Sequence, residues 1–289
     1  MLTGRRTHRT TSPWAATMVA EPRFEVIPLR GIAAGVVDHL DPGATVTVTA
    51  SPRHGLQPTL ELATELAGHG MNVVPHLAAR LVPGRDELAG ILTQLESAGV
   101  GEVFVIGGDN AQPVGEFASS LDLLTAMAGI GHDLTVGVAG YPEPHPGIDD
   151  DVLIQAMWDK QAHAAYIVSQ ICFDARTLLA WVRRVRRRGV QLPIRVGLPG
   201  PAGTQQLLRI STRVGVGDSA RMLSKHRGLW RLAQPGQWRP DRLLADLAPA
   251  FADPDYYLQG LHIYTFNALD SVSTWWRTVE DRHQCTGAR

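Results

Sequence analysis

The sequence predicts a single-domain α/β protein, a (β/α)8 (TIM) barrel with extra helices between its seventh and eighth strands. The chain has 289 residues, which suits one barrel of about 250 residues with additional segments. Apolar residues make up 44% of it and charged residues 19%, so a large core can form and wholesale disorder is excluded. Short β-branched runs alternate with helical patterns, as parallel strands and their covering helices require.

Eight strands are predicted in regular order, and the first six are each followed by a helix. The strands span residues 24–28, 45–49, 72–76, 102–106, 135–139, 165–170, 194–197 and 260–265. The helices span residues 32–40, 58–67, 85–97, 115–127, 150–163 and 176–187. The long interval before the eighth strand is expected to hold extra helices at residues 204–211, 219–225 and 241–251. Hydrophobic periodicity supports these assignments, since one face of the second helix carries Leu60, Ala63, Leu66 and Ala67.

An open, doubly wound parallel sheet is the alternative architecture. The turn at residues 28–31 lacks the G-x-G-x-x-G pattern of dinucleotide-binding folds, and no phosphate-binding G-x-x-x-x-G-K-[ST] occurs. The barrel is therefore favoured. Residues 1–20 are expected to form a flexible N-terminal tail, and residues 21–289 the barrel domain. A C-terminal helix carrying Trp275 and Trp276 is expected to seal the barrel.

Composition argues against several classes of function. The 27 Lys and Arg residues nearly balance the 28 Asp and Glu residues, which argues against nucleic-acid binding through phosphate contacts. No window approaches the ~18 consecutive apolar residues of a membrane span. Cys172 and Cys285 form neither a disulfide framework nor a zinc-binding spacing, so we expect a cytoplasmic protein. Since no heptads or large apolar helix faces demand an oligomer, the expected state is a monomer.

Polar side chains collect at the carboxyl ends of the predicted strands, where barrel enzymes hold their reactive groups. Glu25 stands out, because a carboxylate within a strand is costly unless it is paired or functional. Partial burial would raise its pKa towards that of a general acid. A structural Glu25, facing outward or bonded to a neighbour, is the alternative. The other polar positions are Thr49, His76, Asp109, residues 141–145, Gln170, His262 and Tyr264.

Seven motifs at the strand ends resemble those of one enzyme family. They are F-E-V-I-P (24–28), V-T-V-T-A (46–50), P-H-L (75–77), G-G-D-N (107–110), Y-P-E-P-H-P (141–146), V-S-Q-I-C-F-D (168–174) and H-I-Y-T-F-N (262–267). In the methylenetetrahydrofolate reductase family the corresponding motifs read F-E-F-F-P, V-T-Y-G-A, H-L-T, R-G-D, Y-P-E-x-H-P, I-T-Q-F-F-F-D and H-F-Y-T-L-N. Each motif is weak alone, but all seven occur in the same order. The resemblance covers about residues 23–270.

The resemblance implies the reduction of 5,10-methylenetetrahydrofolate to 5-methyltetrahydrofolate. Glu25 matches the family's strand-1 glutamate and would protonate N10 as the imidazolidine ring opens. Asp109 matches the aspartate that would bind the pterin and stabilise the cationic iminium at N5. Gln170 and Tyr264 match substrate-binding positions, and the Gln170 amide can contact both donors and acceptors of the pterin.

Cofactor-binding positions of the family are only partly kept. The arginine of its R-G-D motif is replaced here by Gly107, and the arginine after Y-T-L-N by Ala268. Losing one charge-assisted bond costs about 1.5–3 kcal/mol of FAD affinity. We therefore expect NADH, or alternatively NADPH, to pass its hydride directly to the folate. The kept positions would line the nicotinamide nucleotide site; they are Thr49, His76, Gly108, Tyr141, His145 and, after a one-residue deletion, Lys160.

Two other functions remain open at this point. One is a conventional reductase with bound FAD, and the other is a folate-binding protein without redox activity. No metal site is expected, since the first strand lacks the H-x-H of metal-dependent barrel hydrolases. Residues 149–151 are interpreted as the N-terminal cap and first turn of a helix. The arginines of residues 183–188 are interpreted as a solvated helix face.

Overall fold

The chain folds into a closed barrel of eight parallel strands. A computed structural model describes residues 18–50, 54–145, 147–203, 207 and 237–284. The barrel strands are β1 (Arg23–Val26), β2 (Thr45–Val48), β3 (Asn72–Ala78), β4 (Glu102–Ile106), β5 (Thr135–Gly140), β6 (Tyr166–Ser169), β7 (Ile194–Pro199) and β10 (Leu258–Tyr264). Their order around the barrel is β1-β10-β7-β6-β5-β4-β3-β2. Two short strands, β8 (Ala202–Gly203) and β9 (Gln237–Trp238), form a separate antiparallel pair. The predicted (β/α)8 barrel is confirmed.

Helices follow the strands as the sequence pattern predicts. They are α1 (Ile32–His39), α2 (Gln57–Gly68), α3 (Arg85–Ser97), α4 (Ser120–Ile130), α5 (Asp150–Lys160), α6 (Ala175–Arg187), α7 (Asp241–Phe251) and α8 (Leu269–Gln284), with a 3-10 turn at Ala79–Leu81. The helix predicted at residues 115–127 begins later than expected. Ser119 and Asp122 form a capping box there, each accepting a backbone N–H bond from the other residue, and this fixes the start of α4.

Some expectations fall outside the described residues. These are most of the tail at residues 1–20, the helix at residues 219–225 and the helix at residues 204–211, of which only Leu207 is described. The third extra helix, at residues 241–251, is confirmed as α7. None of the helices in the described part of the chain is long and apolar enough to cross a membrane.

The outer face of the barrel wall is apolar and is covered by the helices. On β1, Phe24 and Val26 are buried in this layer. The Phe24 ring meets Trp276 of α8 edge to face, with 6.2 Å between ring centroids. Trp275 is buried beside it, so the C-terminal helix α8 packs its two tryptophans into the apolar layer outside the barrel wall.

The interior of the barrel is mostly polar, with one small apolar cluster. The contacts that the inward-facing side chains of β1 make with other strands divide into two groups. Arg23 of β1 binds Glu102 of β4 and the hydroxyl of Tyr166 of β6 near the amino ends of the strands. Glu25 of β1 contacts side chains of β3 and β10 near the carboxyl ends. The apolar cluster consists of Val74, Phe104, Tyr166 and Val168.

The acidic residues 149–151 form the N-cap and first turn of α5, as the sequence predicts. Asp149 occupies the N-cap position, but its side chain makes no capping hydrogen bond. Asp150 and Asp151 lie in the first turn as expected and form ion pairs with Arg184 and Arg188 of α6. These carboxylates accept hydrogen bonds from guanidinium groups rather than from the helix backbone.

The basic face of α6 is less solvated than the sequence suggests. Arg186 is partly buried and donates hydrogen bonds to the carbonyls of Val190, Leu192 and Tyr256. It therefore ties the turn before β7 to the segment before β10. The interpretation of this face as purely solvent-facing is wrong for Arg186.

Gly197 of β7 occupies a position with no room for a side chain. A Cβ atom there would lie 2.0 Å from the carbonyl oxygen of Ser169 and 3.0 Å from the Tyr264 ring. We predict that Gly197→Ala lowers the free energy of unfolding by about 1–3 kcal/mol or more, because the neighbouring strand must shift. Gly90→Ala is the control. Because Gly90 lies in α3 with open space around it, alanine there should raise the free energy of unfolding by about 0.5–1 kcal/mol. Urea denaturation measures both, and equal stability of the two variants would contradict the packing described here.

Candidate active site at the carboxyl ends of the strands

Glu25 is the centre of a buried polar cluster inside the barrel. Its Oε2 atom lies 3.0 Å from Nε2 of His262 on β10 and 3.9 Å from Nε2 of His76 on β3. The Glu25 side chain is 15% exposed, whereas both histidines are almost fully buried. Alternation along β1 causes this placement, because Phe24 and Val26 turn outward to the helices and leave Glu25 facing inward.

Burial favours the uncharged forms of all three groups. It raises the pKa of Glu25 to about 7, although the nearby His76 opposes the shift. It lowers the pKa of His76 to about 4 and that of His262 to about 3. At neutral pH both imidazoles are therefore neutral. Glu25 can hold a proton at the pH where an enzyme of this kind works, which suits a general acid.

The two histidines still have hydrogen-bonding capacity. Nδ1 of His262 and Nε2 of His76 are buried, and neither has a hydrogen-bond partner. When Glu25 is ionised, Nε2–H of His262 can donate to the carboxylate, which leaves Nδ1 as an acceptor. His262 thus fixes the orientation of the carboxyl group, and His76 presents a further polar atom nearby.

Tyr264 extends the cluster towards β6. Its hydroxyl donates to the carbonyl oxygen of Ser169 at 3.2 Å, and its ring lies 4.9 Å from the His262 ring. Burial raises the pKa of Tyr264 well above its usual range, and the charges of Glu25 and Tyr141 add to this. The phenol therefore stays protonated. Tyr264 links Glu25 to the strands that hold Gln170 and Tyr141.

Asp109 and its neighbours form a second side of the site. Asp109 is exposed at the end of β4. Burial of Tyr141 raises the pKa of its hydroxyl, and the nearby negative charge of Asp109 raises it further. The rings of Tyr141 and His145 meet edge to face, 5.6 Å apart. Gly108 has a φ of 92°, which favours glycine, and a Cβ there would come within 3.2 Å of Ala78. Asp109, Tyr141 and His145 are therefore close together at the mouth of the barrel.

Gln170 and Thr49 lie at the ends of β6 and β2 as predicted. The Oε1 atom of Gln170 accepts from the backbone N–H of Ile171 at 2.8 Å, which orients the amide. The carbonyl of Thr49 accepts from the hydroxyl of Thr59 in α2 at 2.8 Å. Both side chains are partly exposed, so they are accessible from the mouth.

Lys160 is not brought into this cluster. It lies in the last turn of α5, about 15 Å along the helix from Asp150. Burial lowers its pKa, and the charge of Asp159 opposes the shift. The helix runs back from the carboxyl ends of the strands, so the end that carries Lys160 points away from Glu25. The structure gives no support to Lys160 as a cofactor-binding residue.

The motif H-I-Y-T-F-N fastens β1 to β10, a role that the sequence did not reveal. The hydroxyl of Thr265 donates to the carbonyl of Glu25 at 2.6 Å. The side chain of Asn267 accepts from the backbone N–H of Ile27 and donates to its carbonyl. Asn267 can do so because it adopts a left-handed conformation, with φ of 63°. Two side chains thereby fix the backbone on both sides of Val26.

Two further polar contacts near the mouth were also missed. Arg80, just after β3, donates to the carbonyls of Asn110, Ala111 and Ala118 and so holds the loop that carries Asp109. Glu143 is buried and interacts with the thiol of Cys172, whose pKa is raised to about 12, mainly by burial. The position of Arg80 directly after a strand could have indicated its contact with the neighbouring loop. Nothing in the spacing of Glu143 and Cys172 indicated the second.

No metal centre is formed in the described part of the chain. No group of three or more His, Cys, Asp or Glu side chains there has an arrangement suited to a metal ion.

The family of the chain follows from comparison with known proteins. The model of the family "Methylenetetrahydrofolate reductase" matches residues 38–226, which is more than half of the chain. The chain belongs to the methylenetetrahydrofolate reductase family. The matched span begins after β1 and ends before β10. The arrangement of Glu25 and His262 is thus an observation of the structure, independent of that match.

Similar proteins agree with this family at low identity. Methylenetetrahydrofolate reductase 2 of Saccharomyces cerevisiae is 30% identical over 152 residues, covering 47% of this chain and 25% of the relative. Methylenetetrahydrofolate reductase (NADH) 1 of Arabidopsis thaliana is 27% identical over 177 residues, covering 53% of this chain and 30% of the relative. The aligned regions thus span only about a quarter to a third of the length of these relatives.

Solved structures support the barrel fold. An uncharacterized protein from Clostridium thermocellum, described as binding two copies of 5-methyl-5,6,7,8-tetrahydrofolic acid, superposes with a TM-score of 0.62. It is 10% identical, and the match covers 94% of this chain and 98% of that protein. An oxaloacetate acetylhydrolase superposes with a TM-score of 0.52 at 8% identity, and the match covers 96% of this chain and 87% of that protein. At these identities the likeness concerns the fold alone.

The raised pKa of Glu25 predicts a pH-dependent contribution to stability. The carboxyl titrates near 4.5 when unfolded and near 7 when folded, so the stabilisation present below pH 4.5 is lost as the pH rises through 7. Glu25→Gln removes this titration. We expect the variant to gain about 3 kcal/mol in free energy of unfolding, relative to the natural chain, between pH 4.5 and pH 8.

Urea denaturation at several pH values measures this difference. The titrations of His76 and His262 occur in both proteins and largely cancel in the comparison. Glu61→Gln on the exposed face of α2 is the matched control and should show a constant difference. A constant difference for Glu25→Gln as well would show that the carboxyl titrates normally.

Proposed function

We propose that this protein reduces 5,10-methylenetetrahydrofolate to 5-methyltetrahydrofolate, with a hydride that comes directly from NADH. The observation that supports it most is the buried Glu25 carboxyl, whose pKa of about 7 keeps a proton available at the mouth of the barrel. Membership of the methylenetetrahydrofolate reductase family supports the substrate class. The site is proposed to work in the cytoplasm and to supply methyl groups for methionine synthesis.

The proposed reaction proceeds in two steps. Glu25 donates its proton to N10 of the folate, the bond between N10 and the bridging methylene carbon breaks, and a cationic iminium forms at N5. NADH then transfers a hydride to the methylene carbon, which gives the N5-methyl product and NAD+. A proton from solvent restores Glu25. The carboxylate of Asp109 is proposed to stabilise the cation, and Gln170 and Tyr264 are proposed to contact the pterin.

The described residues fit a tightly bound flavin dinucleotide poorly. Among the described residues of the loops after β3, β4 and β5, Arg80 is the one Arg or Lys. Its guanidinium group already donates hydrogen bonds to backbone carbonyls. The same loops carry the carboxylates Asp109, Glu116, Glu143 and Asp149. A diphosphate would therefore meet more negative than positive charge. Gly107 has open space at its Cβ position, so no packing requirement explains the missing arginine.

NADH also carries a diphosphate, but it has to bind only for one turnover. Weak, reversible binding is sufficient for a substrate, whereas a resident flavin needs high affinity. The partly exposed groups Thr49, Tyr141 and His145 are proposed to contact the nicotinamide nucleotide, with the buried His76 behind them. This assignment agrees with a relative whose name specifies NADH.

Glu25→Gln tests the role of the acid. We expect turnover to fall by at least about a hundredfold, because the amide cannot protonate N10, while folate affinity changes by less than about threefold. The natural protein should also show a pH profile of kcat/KM with a limb near pH 7 that the variant lacks. Steady-state kinetics and folate titration provide these numbers, with Glu61→Gln as the control. Full activity of Glu25→Gln would refute the proposed mechanism.

Direct hydride transfer is tested with the purified protein and no added FAD. We expect no flavin absorbance near 450 nm and oxidation of NADH that requires methylenetetrahydrofolate. A flavin band with activity proportional to flavin content would instead show the conventional reductase. A colourless protein that binds folate but stays inactive with and without FAD would show a folate-binding protein.

A substitution tests why flavin binds weakly. Gly107→Arg should raise FAD affinity by roughly tenfold to a hundredfold, since it adds one charge-assisted bond at a position with open space. Gly90→Arg on α3 adds the same charge away from the mouth and should leave FAD binding unchanged. Fluorescence quenching of FAD measures both variants.

A further inference from the structure

A second cavity opens at the opposite end of the barrel, around the amino ends of the strands. Its volume is about 660 Å³. We call it the amino-end pocket; it is lined by the starts of β1 to β4, by Arg195 of β7 and by one face of α8. None of the residues proposed for folate or nucleotide binding lines it. A cavity of this volume is in the range of small-molecule sites.

Two buried arginines form the floor of the amino-end pocket. Arg23 is paired with a carboxylate, because it makes two hydrogen bonds to Glu102 and a third to the hydroxyl of Tyr166. Arg195 lies beside it, and both guanidinium groups approach the Tyr166 ring, at 4.4 Å and 5.9 Å. The partly buried carboxylate of Glu102 is bonded to Arg23, and its charge also acts on Arg195.

Arg195 is poorly compensated. Its side chain is only 8% exposed, its Nε atom is buried without a hydrogen-bond partner, and its Nη1 atom donates one long hydrogen bond, of 3.4 Å, to the backbone carbonyl of Glu21. The nearest carboxylate oxygen belongs to Glu21 at 3.8 Å, on a side chain that is 82% exposed. A surface carboxylate at that distance interacts weakly. Burial and the charge of Arg23 both lower the pKa of Arg195, which reflects the same unfavourable position.

The shape and charge of the pocket select the class of ligand. Arg23, Arg195 and Glu102 together leave one positive charge in a buried place, which a single negative charge would neutralise. The rim carries the carboxylates of Glu21, Asp41 and Glu280 against the single guanidinium of Arg277, so a ligand with several negative charges would be repelled. Apolar side chains form much of the wall; they are Phe24, Leu40, Val73, Val74 and Trp276.

We propose that the amino-end pocket is a binding site for a small monocarboxylate with an apolar body, whose carboxylate pairs with Arg195. Arginine suits this ligand because its planar fork forms two parallel hydrogen bonds to a carboxylate. The ligand's apolar part contacts the apolar residues that line the pocket. The site is separate from the proposed folate site and does not depend on the proposed reaction.

Calorimetric titration of the full chain with 4-phenylbutyrate tests the proposal, with 4-phenylbutyramide as its uncharged match. We expect the acid to bind at least tenfold more tightly than the amide. Arg195→Met, which keeps the apolar stem, should lower affinity for the acid at least tenfold. Arg277→Gln on the pocket rim is the control and should change it less than threefold. Glu21→Gln should leave binding intact or tighten it.

Several results would overturn the proposal. Equal binding of acid and amide would show an apolar cavity without anion recognition, and no binding of either would show that the full chain keeps the pocket closed to such ligands. Competition between 4-phenylbutyrate and methylenetetrahydrofolate would place the acid at the carboxyl ends of the strands instead. If Arg195→Met does not fold, the comparison of acid with amide on the natural chain still decides the matter.

Discussion

The structure depends on a carboxyl group held inside a barrel, where its recorded ion-pair partners among the described residues are two neutral imidazoles. Glu25 cannot turn outward, since its neighbours Phe24 and Val26 occupy the apolar layer beneath the helices. Facing inward, it loses most of its hydration, and a positive partner that would stabilise its ionised form is missing from its direct contacts. The protein accepts this cost and obtains a weak acid poised near neutrality.

Much of the architecture was predictable from the sequence because periodicity encodes which face of an element is buried. The run of residues 24–28 predicted β1, and its alternation explains why Glu25 faces the interior. The start of α4 was not predictable from apolar periodicity, since a capping box at Ser119 decided it. The environment of Arg186 depends on carbonyls up to 71 residues away, which no local pattern reports.

The candidate site was predictable to a similar degree and for a similar reason. Residues at strand ends must converge in a closed barrel, so Glu25, His76, Tyr264 and Asp109 were found from their positions alone. The assignment of Lys160 was weak because it relied on an alignment with a one-residue deletion. In a helix each residue is rotated by 100° and shifted by 1.5 Å from the one before, so an error of one position changes the direction of the side chain. The hydrogen-bond partners of Arg80 were not predictable, because they are backbone carbonyls, which every residue has and which therefore leave no pattern in the sequence.

The fastening of β1 to β10 has a consequence for how the protein forms. Glu25 and His262 are separated by 237 positions, and Thr265 reaches the Glu25 carbonyl across 240. During synthesis the acid emerges early, and its partners His262 and Thr265 follow only after most of the barrel has been made. Contacts of such long sequence separation are slow to form, because a large loop must close before they are gained. The proton donor thus acquires its pKa in the last stage of folding, so that a chain interrupted before β10 would carry an ordinary surface glutamate.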